Sequence, residues 1–249
     1  MAQFADLQDY PQTKVGELAR RQLSLSLAWN VTSQTGFLMR LFTYLISTVF
    51  IALSLATSAK SDTSEPTLPS VEQIRKYYQE NARQWPRIPD PILQAFVAAE
   101  DRNFFEKQPQ FSTITRQIGN WHLPPRSGKL QKIALSFVIS DTLSHEEILN
   151  WYVNKIFLGQ SCFGVADAAT AYFGKSVGEL KLEEAAYLAG LPKAPVAFHP
   201  VRSRDRAIER RNFVLSEMFK AKFISEDEAG RAIQTNLRVS EPLIRCELE

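Results

Sequence analysis

The sequence predicts a mainly α-helical domain set behind a single long apolar segment. Three observations carry this. Residues 36–59 form a run of 24 residues with one charge, Arg40. After it, Ser-x-x-Glu/Gln capping boxes recur at Ser70 with Gln73, Ser144 with Glu147, Ser176 with Glu179 and Ser225 with Glu228, each placed to satisfy free N–H groups where a helix opens. No stretch alternates with period two for long enough to read as a strand. Composition narrows the function class. Of 249 residues, 45% are hydrophobic and 22% charged, and 29 Lys plus Arg against 27 Asp plus Glu leave a net charge of +2. That balance lacks the field of a nucleic-acid binder, so any anion site must come from local clustering. Cys162 and Cys246 have no metal or redox spacing. A disulfide framework is therefore not expected to stabilise the chain, and sequence leaves open whether the two pair. His122, His145 and His199 are scattered, which assigns no zinc site.

In chain order, residues 1–35 are polar and read as a cytoplasmic tail. Residues 36–59, at 1.5 Å per residue, are long enough to cross a hydrocarbon core of about 30 Å. Arg40 lies within a turn of one end, where its side chain can snorkel to the headgroups. Ala56, Thr57, Ser58 and Ala59 resemble a signal-peptidase site, but 35 residues precede the apolar run, too long a leader for a signal peptide, so an uncleaved anchor is favoured. Lys14, Arg20, Arg21 and Arg40 stand on or before the near end, whereas residues 61–69 are acidic or neutral. The positive-inside rule then predicts a single-pass cytoplasmic (inner) membrane protein, with its N-terminus in the cytoplasm and the rest on the outer or periplasmic side. Residues 60–69 read as a Ser/Thr/Pro-containing linker, and residues 70–249 as one domain.

Within that domain, Ile148, Leu149, Tyr152, Val153, Ile156 and Phe157 repeat with the spacing of one helix face. Asp90 and Pro91 read as an N-cap and a first-turn proline, followed by an apolar stripe of Ile92, Leu93, Phe96 and Val97. Glu100 continues that stripe near the helix C-terminus. Burial and the unfavourable end of the macrodipole both raise a carboxyl pKa, which suits a general acid or base. A frayed, solvated Glu is the alternative on pattern alone.

From Glu100 the sequence reads Glu-Asp-Arg-Asn-Phe and runs on to Ser112-Thr-Ile-Thr-Arg-Gln117. Further on stand Ile148-Leu-Asn-Trp-Tyr-Val-Asn154, Ala171-Tyr-Phe-Gly-Lys-Ser176, Glu184-Ala-Ala-Tyr-Leu-Ala-Gly-Leu-Pro-Lys-Ala-Pro195 and Arg210-Arg-Asn-Phe-Val-Leu. In this order the segments resemble the family 51 peptidoglycan glycosyltransferases, the transglycosylase domains found alone or fused in penicillin-binding proteins; several ordered motifs carry far more weight than one. The resemblance covers about residues 70–230. It implies a lysozyme-like helical transglycosylase domain behind one transmembrane helix, lying on the membrane and polymerising lipid II and its polyprenyl-pyrophosphate glycan chain, with cell-wall synthesis proteins as possible partners and no nucleic acid. By matching the first motif, Glu100 takes the role of base in an inverting displacement at the anomeric carbon. Asp101, Ser112, Thr113, Thr115, Gln117, Arg126, Lys129 and Lys132 fall where the family contacts substrate. No cofactor is certain; a divalent cation such as Mg at the pyrophosphate is the one that the chemistry admits.

The departures fall on that chemistry. Where the third motif of the family has Arg-Lys-x-x-Glu, this chain has Gly128, Lys129 and Lys132, so the second carboxylate is a lysine. Gln110 and Phe111 replace paired glycines, Arg116 a Gln, Asn120 a Lys, Lys107 a His and Asn150 a Glu. Only residues 106–111 separate Phe105 from Ser112, where the family carries a longer loop. Ser112, Thr113 and Thr115 also fit an ordinary helix cap. Gly174 reads as a helix stop, and Arg210 and Arg211, with Arg202, Arg204 and Arg206, as candidates either to face anionic headgroups or substrate or to pair with Asp205 and Glu209. Two function classes follow: a transferase with altered electrostatics, in which Lys129, Lys132 and Ser136 share one helix face toward a diphosphate, or a pseudoenzyme that binds lipid-linked precursor or a cell-wall synthesis partner.

Overall fold

The computed structural model describes residues 68–246, which lie in a unit spanning Ser64–Glu249. The expected tail and membrane anchor fall outside the described residues. Among the described residues no helix is long and apolar enough to cross a membrane. The described residues form nine α-helices in order: α1 Val71–Ala82, α2 Asp90–Glu100, α3 Thr113–His122, α4 Lys129–Thr142, α5 His145–Lys155, α6 Val165–Phe173, α7 Leu182–Gly190, α8 Arg204–Lys220 and α9 Glu226–Gln234. Three short 3-10 turns interrupt them, at Pro109–Phe111, Val177–Glu179 and Leu191–Lys193. In place of a sheet the described residues have one isolated bridge, Phe157 with Phe163.

The packing explains where Glu100 comes to lie. Helix α2 rests on α7 and α8, and α9 closes on α8; α3 packs on α4 and α5, and α1 on α4. Helix α2 also touches α5, and its last residue, Glu100, is hydrogen-bonded to Thr113 and Gln117 of α3, so its C-terminal end stands where these two helical groups meet. Phe96, Val97, Trp151, Tyr152, Leu188 and Val214 are all fully buried around that junction of elements. Both α6 and α7 are rich in alanine, which lets neighbouring backbones approach closely. Gly190 takes this furthest, since a Cβ there would stand 2.9 Å from Arg210 Cγ.

Local chemistry sets the helix starts. All four capping boxes form, with Ser70, Ser144, Ser176 and Ser225 each paired to the Gln or Glu three residues on; that at Ser176 opens a 3-10 turn rather than an α-helix. Gly174, at φ +64°, is the left-handed stop of α6. Two expectations shift by a residue or two. Pro89 and not Asp90 caps α2, its carbonyl accepting from Ile92 and Leu93, while Asp90 becomes the first helical residue. Helix α5 ends at Lys155 and Ile156 is still buried just beyond it, but the chain then turns to form the Phe157 bridge, so Phe157 is half-exposed and leaves the core.

Cys162 and Cys246 form a disulfide, so one covalent bridge does reinforce the domain. It fastens the segment after α9 to the loop after α5. Ser240 and Ile244 donate backbone hydrogen bonds to Tyr172 and Ala171, and Cys246 to Gln160. The two cysteines are 84 positions apart, so reduction is expected to cost up to about 4–5 kcal/mol if the entropy of the unfolded chain dominates. Thermal melts with and without dithiothreitol, checked against Cys246→Ser, measure it; equal midpoints would remove the stabilising role.

Gly164 opens α6 at φ +86° and ψ 152°, a region that only glycine occupies comfortably. A Cβ there would lie 2.6 Å from the Asn154 carbonyl oxygen, which cannot move aside as a side chain can. Gly164→Ala is expected to destabilise the domain by about 2–4 kcal/mol, readable as a drop in the urea midpoint; a loss below half a kcal/mol would contradict it.

Candidate active site

Glu100 is the last residue of α2, half-buried rather than frayed into solvent. Burial pushes its carboxyl above the ordinary value, and the neighbouring negative charge of Asp101 adds to this; the Gln117 hydrogen bond and the positive charges of Arg210 and Lys193 work against it without cancelling it. Gln117 donates through Nε2 to Glu100 Oε2 at 2.7 Å. Its amide is oriented by Tyr152, whose hydroxyl donates to Gln117 Oε1 at 3.4 Å. Tyr152 keeps its proton firmly, because burial and the nearby Glu100 charge raise its pKa well above the usual phenol range. Helices α2, α3 and α5 thus contribute one residue each to a relay ending on the carboxylate.

Asp101 is buried, and both its oxygens are engaged within the chain. Oδ1 accepts from Lys107 Nζ at 2.6 Å, and Oδ2 from the Thr113 backbone N–H at 3.3 Å. Lys107 in turn offers its carbonyl to His145 Nε2 at 2.9 Å. The segment of residues 106–111, short for the resemblance, is thereby tied to α2, α3 and α5, and Phe111 rests edge-on against Phe137 of α4. Thr113 Oγ1 donates to the Glu100 carbonyl at 2.8 Å. Ser112 is the N-cap of α3, accepting from Ile114 N–H, and is fully buried. Thr115 is fully buried too, and its hydroxyl finds no partner among the described residues.

The lysine face on α4 is only partly as expected. Lys129 is exposed and Lys132 half-buried, but Ser136 turns inward, its hydroxyl donating to the Lys132 carbonyl at 3.0 Å beside Gly119 of α3. Arg126 is exposed in the turn between α3 and α4. The cations whose charge bears on Glu100 come from elsewhere, Arg210 on α8 and Lys193 in the turn after α7. Sequence reading passed over Lys193 and did not connect Arg210 with Glu100, although each lies in a C-terminal motif that matched the family well. Arg210 is nine-tenths buried. Its Nε donates to the Gly190 carbonyl at 3.1 Å, and its guanidinium lies 4.8 Å over the Phe213 ring. With Ala197, Phe198, Arg206 and Glu209 it lines an open cavity of about 390 Å³. The expected pairing with Asp205 and Glu209 is not formed: Arg211 is held by the Thr235 and Ile233 carbonyls and by Asn212, because α8 turns it toward the end of α9 and not along its own face.

The donor set does not suit a resident divalent cation. Such ions take several carboxylate or carbonyl oxygens. Here both Asp101 oxygens already accept, from Lys107 and Thr113, and Lys132, where the resemblance leads one to expect a second carboxylate, is a cation. Among the described residues no three His, Cys, Asp or Glu side chains cluster.

Comparison with known proteins agrees with the ordered motifs. The Transglycosylase family model matches residues 111–219, with Glu100 and Asp101 just ahead of the matched segment. Penicillin-binding protein 1A of Escherichia coli is 38% identical over 167 residues, covering 57% of this chain and 20% of that protein. The protein of the same name from Neisseria cinerea is 30% identical over 253 residues, covering 83% of this chain and 31% of its own length. A crystal structure of Penicillin-Binding Protein 1A from Haemophilus influenzae is 37% identical, with a TM-score of 0.43 over 61% of this chain and 17% of that one. The chain thus spans less than a third of the length of these relatives. Helical architecture, ordered motifs and family match converge: the chain carries a family 51 transglycosylase domain.

Proposed function

We propose that this domain is a peptidoglycan glycosyltransferase that extends glycan strands from lipid II, with Glu100 as general base. The observation that carries the reading is the setting of Glu100, a carboxyl raised by burial, oriented by Gln117 and faced by Arg210 and Lys193. In this reaction Glu100 takes the proton of the acceptor hydroxyl as its oxygen bonds to the anomeric carbon of the donor, and the bond to the lipid pyrophosphate breaks with inversion. Pyrophosphate leaves without a proton donor but needs positive charge opposite it. Arg126, Lys129 and Lys132 supply that charge, and Lys132 does by its own charge what a carboxylate would do through a metal. Ser112, Thr113, Thr115 and Gln117 shape the donor side. Asp101 contributes by holding Thr113 and Lys107. The disulfide supports an oxidising location, which agrees with residues 36–59 as a single-pass anchor and the domain outside the cytoplasmic membrane.

The deciding experiment is polymerisation of fluorescent lipid II by purified full-length protein, with glycan chains as the expected product. A second reading, a pseudoenzyme that binds precursor or a cell-wall synthesis partner, is favoured by one observation, the lysine in place of the second carboxylate. Lipid II binding without chain formation would establish it. If the transferase reading holds, Lys132→Glu should make the rate depend more steeply on added Mg; an unchanged rate and metal response would place Lys132 outside the site.

A further inference from the structure

We propose that Trp121 is a sugar-stacking platform of this site, presenting its outer indole face to a pyranose ring of the glycan; the identity of the sugar rests on the transferase reading above. Trp121 follows Gln117 by four residues on α3, so the two side chains share one helix face about 6 Å apart along the axis. Gln117 touches Glu100. The indole of Trp121 lies nearly parallel to the Tyr152 ring, with centroids 5.7 Å apart and planes 18° from parallel. Tyr152 is fully buried and its hydroxyl is the group that orients Gln117. One indole face is therefore backed by a rigid ring belonging to the relay of Glu100.

The remaining surface of Trp121 is open, with 40% exposed. A tryptophan serving only as core would be covered all round, as Trp151 is at 0%. Exposing this much indole costs free energy that a ligand with a flat apolar face recovers. A pyranose has such a face, built of axial C–H groups whose slight positive charge suits the negative face of an aromatic ring. Its hydroxyls project from the ring edge and stay free for hydrogen bonds. The indole carries no charge, so this contact is insensitive to salt, unlike contacts of Lys129 or Lys132 with phosphate.

The test is calorimetric titration of soluble β-1,4-linked N-acetylglucosamine oligomers into the full chain in detergent, together with lipid II kinetics. Trp121→Ala should weaken oligosaccharide binding by about tenfold and raise KM for lipid II by a similar factor with kcat within about twofold. Trp121→Phe should restore most of both. Wild-type affinity should change little between low and high salt. If Trp121→Ala binds as well as wild type, or wild type binds no oligomer at millimolar concentration, the platform is overturned even if lipid II is polymerised. If oligomer binding depends on Trp121 but no chains form, the platform stands and the transferase reading falls.

Discussion

Glu100→Gln is expected to lower lipid II polymerisation by about 10²–10⁴-fold, the usual contribution of a general base, while making the domain more stable near neutral pH. Both effects follow from one cause. Burial raises the carboxyl pKa, so the folded protein holds the Glu100 proton more tightly than the unfolded chain does. Stability from this group is then fully present below the unfolded pKa and lost as pH rises through the folded one, so at neutral pH the ionised carboxylate opposes folding. A glutamine keeps the shape and removes the charge, and Gln117 can still donate to its amide oxygen. The wild-type rate should rise with pH through the raised pKa of Glu100, since the base must be ionised to act. The readout is a pH profile of chain synthesis beside thermal melts of both proteins. Undiminished polymerisation by Glu100→Gln would remove it as base, and a melting temperature lowered by the substitution would contradict the burial argument.

The largest loss of stability is expected at Arg211, which is 1% exposed. Its Nη1 donates to the Thr235 carbonyl at 2.6 Å and its Nη2 to the Ile233 carbonyl at 2.9 Å, so the cation closes the C-terminal end of α9. There it also meets the negative end of the helix macrodipole. Arg211→Ala leaves these acceptors without a donor and opens a void between α8 and α9. A cost of about 3–5 kcal/mol is expected, or a fall in Tm of about 6–20 °C for a domain of this size. Arg211→Lys should recover only part of it, because one ammonium cannot reproduce the planar fork. A change under 1 kcal/mol in urea unfolding for the alanine variant would refute the structural role.

Much of the fold could be read locally. The four capping boxes, the left-handed Gly174 and the stripe leading to Glu100 depend on interactions within a few residues, and these formed as expected. What escaped the reading was set by packing between helices. Ser136 has the same spacing as Lys129 and Lys132, yet the crossing of α4 on α3 turns it inward beside Gly119. Arg210 and Lys193 follow Glu100 by some hundred residues, and only the meeting of α2, α7 and α8 brings their charge to bear on it. The engagement of both Asp101 oxygens depends on how residues 106–111 close, which residue types alone do not reveal.

The Cys162–Cys246 bridge makes a covalent ring of everything from α6 to α9. Arg210 and Lys193 ride inside that ring, whereas Glu100, Gln117 and Tyr152 belong to the open part of the chain. A protease that nicks the ring once, for example in the exposed turn at Val201, therefore frees no fragment. The nicked molecule runs as one band until the gel is reduced, and its two cations stay joined to the polypeptide that carries the carboxylate. Survival after a single cut is a property of this topology, and it is lost when the disulfide is reduced to thiols.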